Sequence, residues 1–163
     1  MSEDRNELCP VCRMTIENDD HSMEHHKSFY HFCSEQCRET FQSRPRLYIG
    51  KQVKETGEVI KRRRLQLSTA ITPQATDNVL QQIKKLMGVK EIHLQDRCLI
   101  IRYDLLQLNL SQLEAVLVKM EIELDKGWWH KLTRAWINNS EQNELGNLAA
   151  PRGACCNRPP PRA

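Results

Sequence analysis

No apolar run in the chain approaches the ~18–20 residues that a membrane-spanning helix needs. The mean hydropathy is −0.64 and hydrophobic residues make up 39% of the chain, so a soluble protein without a transmembrane segment is expected. No stretch resembles a signal peptide. A reducing, cytoplasmic setting is therefore expected, where cysteines stay free of disulfides. Charge of one sign is also scarce. The formal net charge of +3 on 163 residues gives no electrostatic argument for bulk nucleic-acid binding. No set of base, nucleophile and oxyanion donor can be assembled from the motifs, and no enzymatic activity is expected.

What the chain has is cysteine, seven in all. Four of them form Cys9-Pro10-Val11-Cys12 and Cys33-Ser34-Glu35-Gln36-Cys37, a C-x2-C pair and a C-x3-C pair. The segment between the pairs is long enough for a small β-hairpin to bring them together. Thiolates of Cys9, Cys12, Cys33 and Cys37 at this spacing fit a closed tetrahedral Zn²⁺ site. Cu⁺ is an equally soft match. A redox reading of Cys9–Cys12 is disfavoured, because no strand precedes the pair.

The flanking residues agree with a metal site. Ser28–Phe32 reads as a strand, and Asn18-Asp19-Asp20 as a turn. Ser34 is a good N-cap for a helix from Glu35 to about Arg44, stopped by Pro45. Cys33 and Cys37 then feel the positive helix end, which favours thiolates. Phe41 covers the same face. His21, His25, His26 and His31 lie between the pairs. They are read as exposed polar residues, since four cysteines already close a tetrahedron.

The segments CPVCRM, SFYHFCSEQCRETF and RPRLY resemble the YHS/TRASH family of small metal-binding domains over roughly residues 7–48. The family's metal cysteines fall on Cys12, Cys33 and Cys37; Cys9 makes a fuller four-cysteine version. The sequence Tyr30-His31-Phe32-Cys33-Ser34 only partly reproduces the family's name-giving Tyr-His-Ser. The resemblance implies heavy-metal trafficking, resistance or sensing. The alternative is a zinc that is purely structural.

Residues 50–64 read as a basic linker ending in Lys61-Arg62-Arg63-Arg64. A nucleic-acid or anionic-lipid contact is possible for such a run, but a solvated linker is favoured because no aromatics interleave it. Beyond it the order is βαββαβ over residues 65–126. Leu65, Leu67, Thr69 and Ile71 alternate as a strand, and Val79, Leu80, Ile83, Leu86 and Met87 stripe a helix closed by Gly88 at C′. Strands follow at 89–94 and 97–103. Ser111 and Glu114 then suggest a capping box for a helix striped by Leu110, Leu113, Leu117 and Met120. A short strand at Ile122 and Leu124 completes a ferredoxin-like split βαβ.

The segments VLQQIKKLMGVKEIHL, LIIRYD and LEAVLVKMEIEL resemble the heavy-metal-associated domain of copper chaperones and metal-pumping ATPases. That family's Met-x-Cys-x-x-Cys loop is missing. Ile71-Thr72-Pro73-Gln74-Ala75-Thr76 stands in its place, so the resemblance implies the fold and not a second metal site. Lone Cys98, in an apolar strand, is expected in the core.

Residues 127–148 read as a C-terminal helix with the stripe Trp128, Trp129, Leu132, Trp136 and Ile137. Packing on the open sheet face is favoured over docking to a membrane or a partner. Residues 149–163 form a Pro- and Arg-rich tail, expected to be disordered. Its Cys155 and Cys156 are either auxiliary ligands for a soft metal or incidental thiols. The expected class is therefore α+β: a small ββα knuckle at 7–49 stabilised by a metal on four cysteines, the linker, a ferredoxin-like domain, a helix and a tail. The expected role is a Zn²⁺- or Cu⁺-handling protein acting with a metal transporter or carrier, or else a zinc-stabilised interaction module.

Overall fold

His26 and Lys27 both have positive φ, 50° and 65°, which is the backbone a two-residue type I′ hairpin requires. They join β1 (His21–His25) to β2 (Ser28–Phe32), an antiparallel pair. The computed structural model describes residues 8–17, 20–49 and 57–150. Helix α1 (Glu35–Ser43) follows β2, and Ser34 caps it by accepting from the Cys37 N–H. Pro45 then turns the chain into a short 3-10 segment, Pro45–Leu47. A small core forms here around Phe41, whose ring packs against Tyr30 at 4.9 Å and Phe32 at 5.1 Å.

The second unit holds β3 (Ile60–Gln66), α2 (Pro73–Lys84), β4 (Val89–Gln95), β5 (Cys98–Asp104), α3 (Leu110–Lys119) and α4 (Trp128–Ala149). Its sheet is antiparallel, with order β3-β5-β4. The chain is thus mixed α/β, with four helices and two small antiparallel sheets among the described residues. Leu65, Ile92, Leu99, Ile101 and Tyr103 face one side of the larger sheet. They bury there with Val79 and Ile83 of α2 and Leu110, Leu113 and Leu117 of α3.

Several expectations need correction. The linker ends sooner than expected: Lys61–Arg64 lie inside β3. Charge hid the strand, for Lys61 and Arg63 point inward and are neutralised by Glu144 and Glu141 of α4, at 2.7 and 3.1 Å. β3 also stops at Gln66, short of Thr69 and Ile71. The last strand shrinks to an isolated bridge between Leu67 and Leu124.

Helix α2 closes at Lys84, so Gly88 is not its C′ residue. Gly88 has φ 91°, and an added Cβ would lie 2.8 Å from the Gln107 Cβ. It serves the turn into β4 and a close approach to the 104–108 loop. The capping box of α3 uses Asn109 and Gln112, not Ser111 and Glu114. Those two instead reach α4: Ser111 meets Asn138 at 3.1 Å and Glu114 meets Arg134 at 3.1 Å.

Helix α4 forms where expected but packs by another face. Ile137, Glu141, Leu145 and Leu148 meet the rest of the protein. Trp128, Trp129, Leu132 and Trp136 lie roughly opposite on the helix and stay between 53% and 70% exposed. The anchor is a charge. Glu141, 1% exposed, accepts from the Leu110 N–H at 2.9 Å, the Tyr103 hydroxyl and the Arg63 guanidinium. Its carboxylate thereby caps the positive end of α3. No helix among the described residues covers the outer sheet face, and Cys98 lies on it, half-buried and not in the core.

Candidate metal centre

A left-handed residue starts the site. Arg13 has φ 61°, which folds the chain back on itself. Its N–H donates to the Cys9 carbonyl at 2.8 Å, and the Cys9 N–H donates to the Met14 carbonyl at 2.8 Å. Leu8 and Thr15 close the loop as an isolated bridge. This turn points Cys9 and Cys12 the same way. The second pair comes from the β2–α1 junction. Phe32 is buried, Cys33 follows it, and Cys37 sits in the first turn of α1.

The two pairs converge. The sulfurs of Cys9, Cys12, Cys33 and Cys37 all lie within 4.8 Å of one another. Cys12 and Cys33 are 3.2 Å apart, and Cys33 and Cys37 are 3.7 Å apart. Tetrahedral Zn–S bonds of about 2.3 Å would set neighbouring sulfurs about 3.8 Å apart. The donor set therefore suits Zn²⁺ or Cu⁺ with little rearrangement. The four cysteines are free thiols, too far apart for disulfides.

The electrostatics point the same way. Hydrogen bonds from Cys12 and then Cys37 hold the Cys9 thiol far below its ordinary range, against burial. Cys12 gains from its bond with Cys37, but the Cys9 sulfur, burial and Cys33 push it up to about 12. Cys37 is pushed up by Cys12, by Cys9 and by burial. A thiolate at Cys9 thus disfavours ionisation of Cys12 and Cys37, and a cation at the four sulfurs would offset that repulsion.

Burial around the sulfurs is uneven. Cys9 and Cys37 are buried, whereas Cys12 and Cys33 are half-buried. A cleft of about 260 Å³ runs beside Cys12 between the two units, lined also by Arg13, Arg46 and Gln107. No histidine nitrogen joins the group among the described residues. His21 lies 3.3 Å from the Glu35 carboxylate, and His25 meets Phe41 edge-on at 5.9 Å. Cys98 stands outside the group, and Cys155 and Cys156 lie outside the described residues, as does most of the Asn18-Asp19-Asp20 turn.

The sequence reading missed what holds the site against the second unit. Gln36, in the first turn of α1, bonds the backbone of Met87 with both amide atoms, at 2.9 and 3.0 Å. Tyr48 donates to the Leu106 carbonyl, Gln112 donates to Thr40 at 3.1 Å, and Arg44 reaches Gln142. Leu47 belongs to the core of the second unit. No local pattern marks a glutamine that will bond backbone 51 residues away. Comparison of the chain with family models, with curated proteins and with solved structures finds no match.

Proposed function

We propose that this chain is a metal-handling protein that carries one thiophilic ion, Zn²⁺ or Cu⁺, on Cys9, Cys12, Cys33 and Cys37. The observation that carries this reading is the convergence of four sulfurs within 4.8 Å, two buried and two half-buried. A site meant only to staple a fold gains from enclosing all its ligands. Here Cys12 and Cys33 stay half-buried and Cys12 borders a cleft, which leaves an incoming thiolate a way to the sulfurs. The ion would supply positive charge for the thiolates and the cross-link between the N-terminal turn and α1. The protein's residues orient the sulfurs and keep two of them from water.

The resemblance of residues 7–48 to YHS/TRASH domains supports a trafficking, resistance or sensing role. The second unit is read as a ferredoxin-like, heavy-metal-associated type of fold. Supporting this are the strand order β3-β5-β4 and the bridge that sets Leu124 beside Leu67 at the β3 edge. Without a cysteine loop, that unit would serve docking to a transporter or carrier protein in the cytoplasm. The chain is read as non-enzymatic.

A second reading is a zinc-stabilised interaction module. The contacts of Gln36, Leu47 and Tyr48 favour it, since an ion at the cysteines would then brace the whole assembly. The experiment is metal analysis of protein purified without added metal, followed by transfer to a competing thiol ligand. Handling predicts one ion per chain, acceptance of Cu⁺ and rapid release. Tight Zn²⁺ alone, released only on unfolding, would establish the structural reading. Cys33→Ser should abolish stoichiometric uptake, while Cys98→Ser should leave it intact.

A further inference from the structure

The basic run Lys61–Arg64 is divided by the strand it forms. Lys61 and Arg63 point inward, each with a carboxylate partner on α4. Arg62 and Arg64 point to the outer sheet face, exposed and without an acidic partner among the described residues. Register sets Arg102 directly opposite Arg62, and Ile100 opposite Arg64. On the far side of β5, Glu91 pairs with Arg102 and His93 with Ile100. The Glu91 carboxylate meets Arg102 at 2.8 Å and offsets one of the three guanidiniums.

Like charges directly opposite in a sheet cost stability. On the inner face this fold gives every inward cation of β3 a carboxylate. On the outer face it leaves two guanidiniums of three without one. A hollow of about 290 Å³ lies among Arg62, His93, Ile100 and Arg102, with the Glu91 carboxylate, already paired with Arg102, on its rim. We propose that this outer face binds single-stranded nucleic acid. The proposal is independent of the metal reading.

Arg62 and Arg64 stand on one strand, about 6.7 Å apart at the usual rise. They present planar forks that suit phosphate oxygens bidentately. A repeat of cations along a strand suits a repeating polyanion better than one isolated anion. The next rung offers the His93 ring and Ile100 as a platform against which a base can lie. A third rung places Gln66 and Gln95 on either side of Cys98, with amides of the kind that read base edges. A lipid surface fits less well, because Ile100 and Cys98 are half-buried and Ile60 is the one large exposed apolar side chain of β3 and β5 on that face. The small net charge of the chain conceals this local excess, which appears only when β3 and β5 pair.

The test is fluorescence anisotropy with the full chain and labelled single-stranded RNA and DNA of about 12 nucleotides. A matched duplex and phosphatidylserine vesicles serve as comparisons. Single strands should bind, with a slope of log K against log salt of about −1.4 between about 50 and 200 mM salt, as phosphate contacts by the two unpaired guanidiniums require. The triple variant Arg62→Ser, Arg64→Ser, Arg102→Ser should bind at least roughly tenfold more weakly at low salt, with metal content unchanged. Should the triple variant misfold, Arg64→Ser alone should weaken binding roughly threefold. No single-strand binding at about 50 mM salt would overturn the proposal. So would full binding by the triple variant, which retains the tail arginines, or binding confined to duplex or vesicles.

Discussion

The side-chain amide of Gln36 bonds Met87 as a neighbouring strand would. Its Nε2 donates to the Met87 carbonyl at 2.9 Å, and its Oε1 accepts from the Met87 N–H at 3.0 Å. The Nε2 also reaches the Gln107 carbonyl at 3.3 Å. Backbone groups in a partly buried seam are thereby satisfied by a residue of the helix that carries Cys37. Gln36→Leu should destabilise the protein by about 1–3 kcal/mol, the cost of leaving such groups unpaired. Denaturant unfolding checks this. The same coupling predicts that removing metal broadens or shifts amide signals around Met87 and Gln107, not only those of residues 8–49.

Glu141 is a buried carboxylate with three different partners. Glu141→Leu would leave Arg63 without its counter-charge and should cost about 3–5 kcal/mol. Adding Arg63→Met should recover part of that loss, because removing both members of a buried pair is far milder than removing one. Thermal denaturation of both variants measures the difference. A single variant as stable as the wild type would mean that α4 is held by Leu145 and Leu148 alone.

Tyr103 and Tyr48 predict a loss of stability in alkali. Burial, and then Glu141, raises the Tyr103 hydroxyl above its ordinary value of 10. Burial, followed by Asp104 and Cys37, does the same for Tyr48. A group whose folded pKa is raised keeps its proton longer in the native state. Its stabilisation is complete below the unfolded pKa, about 10, and is lost as pH rises from there toward the folded value. The denaturation midpoint should fall above about pH 10. The fall should be shallower in Tyr103→Phe, relative to that variant's own value at neutral pH.

Gly88→Ala should be more damaging than a surface glycine change. The positive φ and the Gln107 Cβ at 2.8 Å both oppose a methyl group there. A loss of about 1–3 kcal/mol is expected, by overpacking and strain together. Gly146→Ala is the control. No atom lies within 4 Å of its built Cβ, so the helix should gain by about 0.5–1 kcal/mol.

The elements legible in the sequence were those with local cause. Ser34 capped α1 and Pro45 ended it, because both act through their own backbone. Leu110, Leu113 and Leu117 announced α3 by period alone. The cysteine spacing marked the four residues that the fold brings together. Long-range compensation was not legible. β3 was obscured because Lys61 and Arg63 look unfit for an inner face until Glu141 and Glu144 arrive some 80 residues later. The orientation of α4 was misread because hydrophobicity favoured the tryptophans, whereas a glutamate fixes the helix. Gln36 carried no sign of its partner at all.

The uncovered tryptophans of α4 also decide how this protein reports on itself optically. All three indoles of the chain lie on one helix, each at least 62% exposed. Intrinsic indole emission should therefore be red-shifted and readily quenched by acrylamide in the native state, and it should change little when an ion joins the cysteines. Tyr30 and Tyr48 are better placed, since both pack on Phe41 beside the cysteine sulfurs. Ultraviolet difference absorbance of these phenols, not indole fluorescence, is the natural spectroscopic window on the cysteine cluster.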